Sequence, residues 1–372
     1  MSTNVSDLPA LDHGARLAAL AEHIGSLDVD AFLVTDLTDI RWATGFNGSN
    51  GWLVIRDRDA VLGTDGRYLD KAREETAGTG VTVIAEQLAT RLHERLVESC
   101  AGTDAVGIDA GRLTHTRWQQ LAGDLAVVNV TSPIGELRRH KDDAEIARIE
   151  QAAAATDRAL AEVEPILLAT TDAPVTEHDI RTELEYRMRL HGADDRSYDT
   201  IVAAGPHHAA RPHHGATRRP IVEGDMVIID VGGLVDGYHS DMTRSWVIGE
   251  PTALHRELFE LTAASQRAGL DALRAGIAAR DVDAACRGHF TEHGYGDWFV
   301  HGTGHGVGLQ IHESPFESRI STETLVAGDV VTVEPGLYRD GVGGVRIEDL
   351  AVVTESGHRV LTHSPKREPG TY

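Results

Sequence analysis

The sequence predicts a two-domain protein, in which an α/β domain with a mixed sheet precedes an α+β domain with an internal pseudo-two-fold repeat. Over residues 17–130, helix-like stretches alternate with short apolar runs. This pattern breaks at residues 132–135, Ser-Pro-Ile-Gly, and a strongly helical segment follows. Two similar hairpin patterns occur only after the break. We therefore place the boundary between domains 1–133 and 134–372.

The first domain is predicted to contain six strands, because six short apolar runs are bounded by polar or turn-forming residues. A four-residue polar link, RDRD at 56–59, has the length that joins antiparallel strands. The sheet should therefore be mixed. The runs span residues 31–34, 51–55, 60–63, 81–85, 105–109 and 125–130.

The second domain is predicted to contain four long helices, from apolar residues at helical spacing. In the second of these helices, for example, Ile180, Leu184 and Met188 fall on one stripe. The four predicted helices span residues 142–161, 177–190, 253–274 and 281–293.

Composition and charge exclude several classes of protein. The chain of 372 residues has 35 Lys plus Arg against 58 Asp plus Glu, a net charge of −23, which disfavours binding to nucleic acid and to anionic membranes. The amino-terminal sequence lacks the pattern of a signal peptide, and no apolar run is long enough for a membrane span. Cys100 and Cys286 are too far apart in the sequence for a CxxC motif. Two such cysteines are typical of cytosolic proteins, in which thiols stay reduced. We expect a cytoplasmic protein.

The internal repeat places acids at the ends of two strands. Residues 224–230, GDMVIID, correspond position by position to residues 328–334, GDVVTVE. Each is a Gly-Asp turn followed by an apolar strand that ends on a carboxylate, Asp230 or Glu334. A glycine-bearing turn and a second acid follow in each case, Asp241 or Glu348. We therefore expect two hairpins, each with two acids across from one another.

Strand alternation turns these acids towards apolar neighbours: Met226 and Ile228 share a face with Asp230, and Val330 and Thr332 share one with Glu334. Four partly buried carboxylates would each raise the pKa of the others and destabilise the fold unless positive charge is supplied. Two divalent cations would balance the four charges.

A histidine ligand is available from residues 301–313, HGTGHGVGLQIHE. The glycines at 302, 304, 306 and 308 do not fit the GxGxxG nucleotide motif. Glycines on alternate residues instead allow a close approach of strands, and leave His301, His305 and His312 as polar groups of a pocket wall. Singly, each acid or histidine is more often a cap or a structural residue, but the joint pattern favours a metal site.

These motifs resemble the proline-specific metallopeptidases of the pita-bread fold, which include Xaa-Pro dipeptidases (prolidases) and Xaa-Pro aminopeptidases (aminopeptidase P). The first domain resembles the amino-terminal domain of the same family, which has a ribonuclease-H-like form, through TGFNGSNGWLVI and GTDGRYLDKA. The segments of the second domain that carry the resemblance are ARPHHG at 210–215, DVGGLVDGYHSDMTR at 230–244, residues 301–313, VEPGLY at 333–338 and VRIED at 345–349.

The resemblance implies a two-metal centre with five ligands, of which Asp241 and Glu348 would bridge the ions. It also implies catalytic roles for Glu334, His213, His312 and Arg346, and it places Tyr238 and His301 near the site. His213 follows Pro212, so it matches the family better than His214 does. The five implied ligands are Asp230, Asp241, His305, Glu334 and Glu348.

One imidazole among four carboxylates makes an oxygen-rich site, which favours Mn²⁺ over softer metals, with Co²⁺ and Zn²⁺ as alternatives. The expected substrates are short proline-containing peptides. The compact segment at 312–320, HESPFESRI, and the short chain favour a dipeptidase, and an aminopeptidase P that acts on longer peptides is the alternative.

A metal-free pita-bread scaffold that binds proteins or nucleic acid is the alternative from another class of function. Short basic runs at 138–141 and 218–219 would fit it, although such runs in an acidic chain are more often solvated surface. The resemblance also implies a homodimer. In it, residues 36–42, DLTDIRW, would form a loop that limits substrate length in the neighbouring subunit.

Overall fold

The computed structural model describes residues 7–171 and 174–372 of the chain. Contacts between residues group into two units. One unit is Ala10–Arg138, and the other is Arg139–Tyr372 together with the segment that ends at Pro9. This division falls after Arg138, five residues beyond the boundary that we predict after residue 133.

Residues 10–133 contain six strands and five α-helices. The strands are β1 (Ala31–Val34), β2 (Gly51–Arg56), β3 (Asp59–Asp65), β4 (Thr82–Glu86), β5 (Val106–Ile108) and β6 (Val127–Asn129). The helices are α1 (His13–Gly25), α2 (Leu37–Thr44), α3 (Leu69–Glu75), α4 (Ala89–Ser99) and α5 (His115–Asp124). Each of the six predicted apolar runs therefore corresponds to a strand.

The six strands form one sheet in the order β4-β3-β2-β1-β5-β6. β2 is antiparallel to both β1 and β3, and the other neighbouring pairs are parallel. The turn between β2 and β3 contains Asp57 at φ 51°, a left-handed conformation that Asp tolerates better than most residues. The predicted mixed sheet is confirmed.

The segment at 36–42 is not a loop, and this prediction was wrong. Asp36 is the N-cap of α2, where its side chain accepts hydrogen bonds from the backbone N–H groups of Thr38 and Asp39. The buried Asp39 pairs with Arg138 at 2.7 Å. Asp and Thr favour turns, but the same side chains also favour helix starts, and here the helix is stabilised by a buried ion pair.

The described part of residues 134–372 contains six further α-helices and thirteen strands. The helices are α6 (Ile134–Arg139), α7 (Asp143–Leu168), α8 (Glu177–Leu190), α9 (Gly205–His208), α10 (Ala253–Ala272) and α11 (Ala279–Glu292). The first strands are β7 (Asp195–Arg196), β8 (Ile201–Ala204), β9 (Met226–Asp230), β10 (Gly233–Val235), β11 (Tyr238–His239) and β12 (Thr243–Val247). The others are β13 (Gly304–Gly306), β14 (Glu313–Glu317), β15 (Val330–Val333), β16 (Gly336–Arg339), β17 (Gly343–Arg346), β18 (Asp349–Val353) and β19 (His358–Val360).

All four predicted long helices are present. α7 extends beyond the predicted end at residue 161, because Val163 and Leu167 continue its buried stripe against Leu184 of α8. The strands form four sheets, in the orders β11-β10-β7, β12-β9-β8, β14-β13-β15-β18-β19 and β16-β17. No helix among the described residues has the length and apolar character that crossing a bilayer requires.

The repeat seen in the sequence recurs in the hydrogen bonding of its two Gly-Asp turns. Gly224 and Gly328 adopt φ values of 86° and 93°, a region in which other residues are strained. Asp225 accepts a hydrogen bond from the backbone three residues earlier and pairs with an arginine at 2.7 Å. Asp329 does the same. β9 and β15 therefore follow equivalent turns. Each pairs antiparallel with a later strand, β9 with β12 and β15 with β18.

Alternation along β9 and β15 places the terminal acids as expected. Val227 and Ile229 of β9 pack against α7 and α8, which leaves Asp230 on the opposite face. Val331 and Val333 of β15 pack in the core next to α10 and α11, and Glu334 points the other way. Both acids thus reach the same cleft of the second unit.

Candidate metal centre

Four carboxylates meet at one end of the repeated strands. Asp230 ends β9 and Asp241 precedes β12, while Glu334 follows β15 and Glu348 precedes β18. Oxygen atoms of Asp230, Asp241 and Glu348 all lie within 4.8 Å of one another. Glu334 joins them through His305, as described below, so the structure brings together all four acids singled out in the sequence.

These carboxylates are too close and too buried to be ionised together without added positive charge. Burial raises the pKa of Asp241 well above its usual value, and the neighbouring Asp230 and Glu334 raise it further. The same causes, with Asp241 foremost among the neighbours, raise the pKa of Glu348. Burial also raises the pKa of Glu334, to about 7. The cluster can therefore be fully ionised only when cations neutralise it.

His305, in the short strand β13, supplies a nitrogen donor to this cluster. Its Nε2 lies 3.6 Å from Asp241 Oδ2 and 3.5 Å from Glu334 Oε1. These separations are long for hydrogen bonds, and they lie within a few tenths of an ångström of the roughly 3 to 3.4 Å that separates two ligands each about 2.1 Å from one ion. Burial lowers the pKa of His305 to about 4, so the ring is neutral and able to ligate.

A hydrogen bond at Nδ1 of His305 orients the imidazole ring so that Nε2 can bind a metal ion. Nδ1 lies 3.1 Å from the carbonyl of Gly306, so Nδ1 carries the proton and the lone pair of Nε2 faces the acids. A backbone carbonyl in this position is a common second partner of metal-binding histidines. The donor set of four carboxylates and one neutral imidazole fits two divalent cations.

Glycines let β13 approach its neighbours as closely as the sequence predicts. A Cβ at Gly304 would lie 2.0 Å from the carbonyl oxygen of Thr332, and one at Gly306 would lie 2.4 Å from that of Ser314. No side chain fits at either position without displacing backbone. The alternate glycines thus allow His305 to lie close between β14 and β15.

Arg346 is the one lysine or arginine among the described residues that line the cleft. Its guanidinium donates to Asp230 Oδ2 at 2.6 Å and to Thr243 Oγ1 at 2.9 Å. It also donates to the Tyr338 hydroxyl at 3.0 Å and to the Pro212 carbonyl at 2.9 Å. Four N–H groups are therefore committed to the protein, which fixes Asp230 rather than leaving the cation free for a substrate.

The remaining predicted histidines lie around the same cleft, which has a volume of about 960 Å³. His213 is exposed and lines it, and the His312 ring lies 4.4 Å from that of His305. His301 is held by Tyr338, whose hydroxyl lies 2.9 Å from Nε2. His213 and His312 are thus open to a bound molecule, whereas His301 is fixed within the wall.

Tyr238 does not line the cleft, so the expectation that it lies near the site was wrong. Its hydroxyl donates to Glu145 at 2.9 Å, within the core of the unit. The tyrosine that contacts the acids is Tyr198, which the sequence analysis did not identify. Its hydroxyl lies within hydrogen-bonding distance of both Asp230 Oδ1 and Asp241 Oδ1, and its single proton can be donated to one of them at a time. No sequence pattern marked Tyr198, because it lies in the irregular segment before β8 and belongs to no repeat.

His214 belongs to a separate polar cluster. Its ring lies 4.1 Å from that of His208, which hydrogen-bonds to Glu177 at 2.8 Å. Glu177 also accepts hydrogen bonds from Ala204 N and from the backbone and hydroxyl of Thr217. Because every lone pair of Glu177 is used, the cluster is explained as a brace for the segment that carries His213.

Comparison with known proteins agrees with this architecture. Residues 147–355 match the sequence model of metallopeptidase family M24, and residues 16–140 match that of the creatinase/prolidase N-terminal domain. A Xaa-Pro dipeptidase of Pyrococcus furiosus is 32% identical over 94% of this chain and 98% of its own length.

Two solved structures are similar over nearly their whole length. A Xaa-Pro dipeptidase from Bacillus anthracis superposes with a TM-score of 0.89, at 33% identity over 96% of this chain and 99% of the other. An X-Pro aminopeptidase from Thermotoga maritima gives a TM-score of 0.85, at 30% identity over 94% of this chain and 98% of the other.

Proposed function

The chain is a prolidase-type member of metallopeptidase family M24, and from this membership we propose that it hydrolyses the bond between an amino-terminal residue and a following proline in short peptides. The observation that carries the proposal is the convergence of five donors from both halves of the repeat on one cleft. A metal-free scaffold, the alternative from another class, has no need of these donors.

Divalent metal ions are implied by the family, and we propose two Mn²⁺ ions as the native pair. Four carboxylates and one imidazole form a hard, oxygen-rich donor set, which suits Mn²⁺ better than metals that prefer thiolates. The proposed ligands are Asp230, Asp241, His305, Glu334 and Glu348. When bound, such ions would supply a water of lowered pKa at neutral pH.

We assign the proton transfer to Glu334, whose carboxylate lies at the cleft surface of the donor set. It would accept a proton from the attacking water and pass it towards the proline nitrogen as the bond breaks. His213 and His312, which are both open to the cleft, would stabilise the oxyanion and orient the proline residue. Arg346 would act through Asp230, which it orients from behind.

The chemistry of the Xaa-Pro bond explains why a peptidase that cleaves it would bind its substrate through metal ions. The Xaa-Pro bond is a tertiary amide without an N–H, so a peptidase that holds its substrate by strand pairing loses a donor there. A centre that instead binds the free amino group and the scissile carbonyl needs no such donor. The cleft provides acidic groups for an amino terminus and exposed histidines for an oxyanion.

The experiment that tests the proposal compares Ala-Pro and Ala-Ala as substrates of the purified protein with Mn²⁺. Release of alanine from the proline peptide alone, abolished by a chelator and restored by Mn²⁺, is expected. Equal cleavage of both peptides, or cleavage in the presence of the chelator, would contradict the proposal.

We also propose a homodimer and a reducing, cytoplasmic setting. Buried, unpaired Cys100 and Cys286 support the second point, because free thiols persist where glutathione keeps them reduced.

For the proposed role of residues 36–42 in a neighbouring subunit, Arg41→Ala is the better probe, since Asp36 caps α2. Light scattering that finds an active monomer would rule the dimer out, and an unchanged ratio of tripeptide to dipeptide cleavage in Arg41→Ala would rule out the role of α2.

A further inference from the structure

The basic run at 138–141 contains a lysine that is buried rather than solvated. The Nζ of Lys141 lies 3.2 Å from Oε2 of Glu313, and the two side chains are only 1% and 7% exposed. Burying two charges costs solvation free energy that their attraction only partly returns, so stability alone does not account for the pair. Glu313 directly follows His312, one of the two histidines that are open to the cleft. The pair therefore lies next to a proposed catalytic group.

The lysine projects from a segment that is fixed to the second Gly-Asp turn. The backbone N–H of Lys141 donates to the carbonyl of Gly328 at 3.1 Å. Two residues earlier, Arg139 donates to both carboxylate oxygens of Asp329, at 3.1 and 2.7 Å. Asp329 is fully buried, and β15 begins at the next residue. Lys141 thus has a fixed origin relative to the strand that ends next to Glu334.

The carboxylate of Glu313 closes a tight turn on the other side of the pair. Its Oε1 accepts a hydrogen bond from the backbone N–H of Gln310 at 2.8 Å. Within the turn, the N–H of Gly308 donates to the carbonyl of Gln310 at 3.1 Å. A Cβ at Gly308 would lie 2.8 Å from Oε2 of Glu313 and 2.9 Å from Oε1. The carboxylate therefore packs directly against the backbone of the turn, and a side chain at residue 308 would displace it.

This turn leads straight into His312, which is exposed and lines the cleft. Glu313 begins β14, where it pairs with Gly306 of β13. Successive residues of an extended chain point to opposite faces, so an inward Glu313 directs His312 outwards into the cleft. There the His312 ring lies 4.4 Å from the ring of His305. The direction of His312 thus depends on what holds Glu313, and that partner is Lys141.

We propose that Lys141 is a positioning residue, which holds His312 in its catalytic orientation by pairing with Glu313. The inference rests on the proposed function, in which His312 stabilises the oxyanion and orients the proline residue. Lys141 does not line the cleft and acts only through its partner. Without its charge, the buried carboxylate of Glu313 would be left unpaired, and the turn would shift to bring it to water.

The first test is Lys141→Met, which keeps an unbranched side chain but removes the charge. The substitution should lower kcat for Ala-Pro in the presence of Mn²⁺ by about tenfold or more, because a small displacement of a catalytic group is costly. Bound Mn²⁺ per chain should not change, since the proposed ligands stay in place. Lys71→Met is the matched control, because Lys71 makes an exposed contact of 3.4 Å with Glu75. It should change neither kcat nor metal content.

A double-mutant cycle separates positioning from a purely structural role. If Lys141 acts through His312, Lys141→Met should lower kcat by less than about twofold when His312 is already replaced by alanine. A residue that only stabilises the fold would lower kcat by the same factor in both backgrounds. Equal factors would therefore overturn the proposal.

Restoring charge balance should restore activity. In Lys141→Met/Glu313→Gln no charge is left unpaired, and the amide oxygen of glutamine can still accept from Gln310 N–H. The kcat of this double variant should return to within about threefold of wild type. No recovery relative to Lys141→Met would contradict the role of the ion pair. If Lys141→Met does not fold, Glu313→Gln enters the cycle with His312→Ala in its place, with the same expectation.

The outcomes distinguish the inference from the function on which it rests. If the wild-type protein does not cleave Ala-Pro, the proposed function fails and the inference fails with it. If the wild type is active but Lys141→Met loses Mn²⁺, the pair acts on the metal ligands rather than on His312. The inference is then wrong, although the peptidase activity stands.

Discussion

Arg346 Nη2 donates a 2.6 Å hydrogen bond to Asp230 Oδ2, so the acid that ends the first repeated strand is oriented from behind by a buried guanidinium. Arg346 belongs to β17, within the second copy of the repeat, and Asp230 ends β9 in the first. The contact therefore ties the two halves of the proposed metal centre together. A lysine could not reproduce four hydrogen bonds directed from one planar group.

The first prediction concerns this contact. Arg346→Lys should lower metal affinity or kcat by about 10- to 100-fold, the usual cost of losing a partner that orients a metal ligand. Metal titration and steady-state kinetics check it, with exposed Arg274→Lys as the control. Unchanged affinity and kcat in Arg346→Lys would show that Asp230 needs no such support.

The second prediction concerns the proposed bridging acids. Asp241→Asn or Glu348→Gln should leave the fold intact, reduce bound metal below two ions per chain and abolish hydrolysis, because each substitution removes a charge needed to neutralise both cations. Elemental analysis and circular dichroism measure this, with exposed Asp271→Asn as the control. Two tightly held ions together with retained activity in either variant would refute the ligand assignment.

The third prediction separates two adjacent histidines. His213 lines the cleft, whereas His214 packs on His208 in the cluster built around Glu177. His213→Ala should lower kcat by about 10²- to 10³-fold with metal content unchanged, the loss expected for one oxyanion donor. His214→Ala should lower it much less. The opposite ranking would mean that the catalytic histidine of the pair has been misassigned.

The fourth prediction is a pH dependence of stability in the metal-free protein. The pKa of Asp241 is raised in the folded state, so the stability associated with its protonated form is lost as the pH rises from the unfolded value, about 4, through the folded one. Asp241→Asn escapes this loss. In a chelator, the melting temperature of the variant relative to wild type should increase between pH 5 and pH 8, by at least about 2 °C.

Thermal unfolding in the presence of Mn²⁺ provides the control, because bound ions stabilise only the protein that holds them. There the ranking should reverse, with wild type more stable than Asp241→Asn. A relative melting temperature of the metal-free variant that stays constant or falls between pH 5 and pH 8 would contradict the charge argument.

The repeat explains why most of the site was predictable from the sequence. Period-two alternation in GDMVIID and GDVVTVE placed Asp230 and Glu334 on the face opposite the helices, and also placed Thr332 beside Glu334, where its hydroxyl contacts both the acid and His305 N. Alternate glycines correctly indicated the close approach of β13. These signals come from residues close together in the sequence, and the strand alternation that they predict is kept in the folded protein.

The features that the sequence did not predict depend on contacts between residues that are far apart in the chain. Tyr198 reaches Asp230 and Asp241 only because β8 pairs with β9, which its own segment does not encode. The α2 helix is short, and its buried Asp39 pairs with Arg138, 99 residues later. Tyr238 sits inside a family motif yet turns towards Glu145 of α7. Proximity within a motif does not determine on which side of a strand a residue packs.

The most direct test of the central claim is a crystal of the protein grown with Mn²⁺ and measured at a wavelength where manganese scatters anomalously. Two anomalous peaks are expected between β9 and β15, each about 2.0 to 2.2 Å from its carboxylate or imidazole ligands. The ligands at these peaks should be Asp230, Asp241, His305, Glu334 and Glu348. A cluster without an anomalous peak, or peaks held by other residues, would contradict the account.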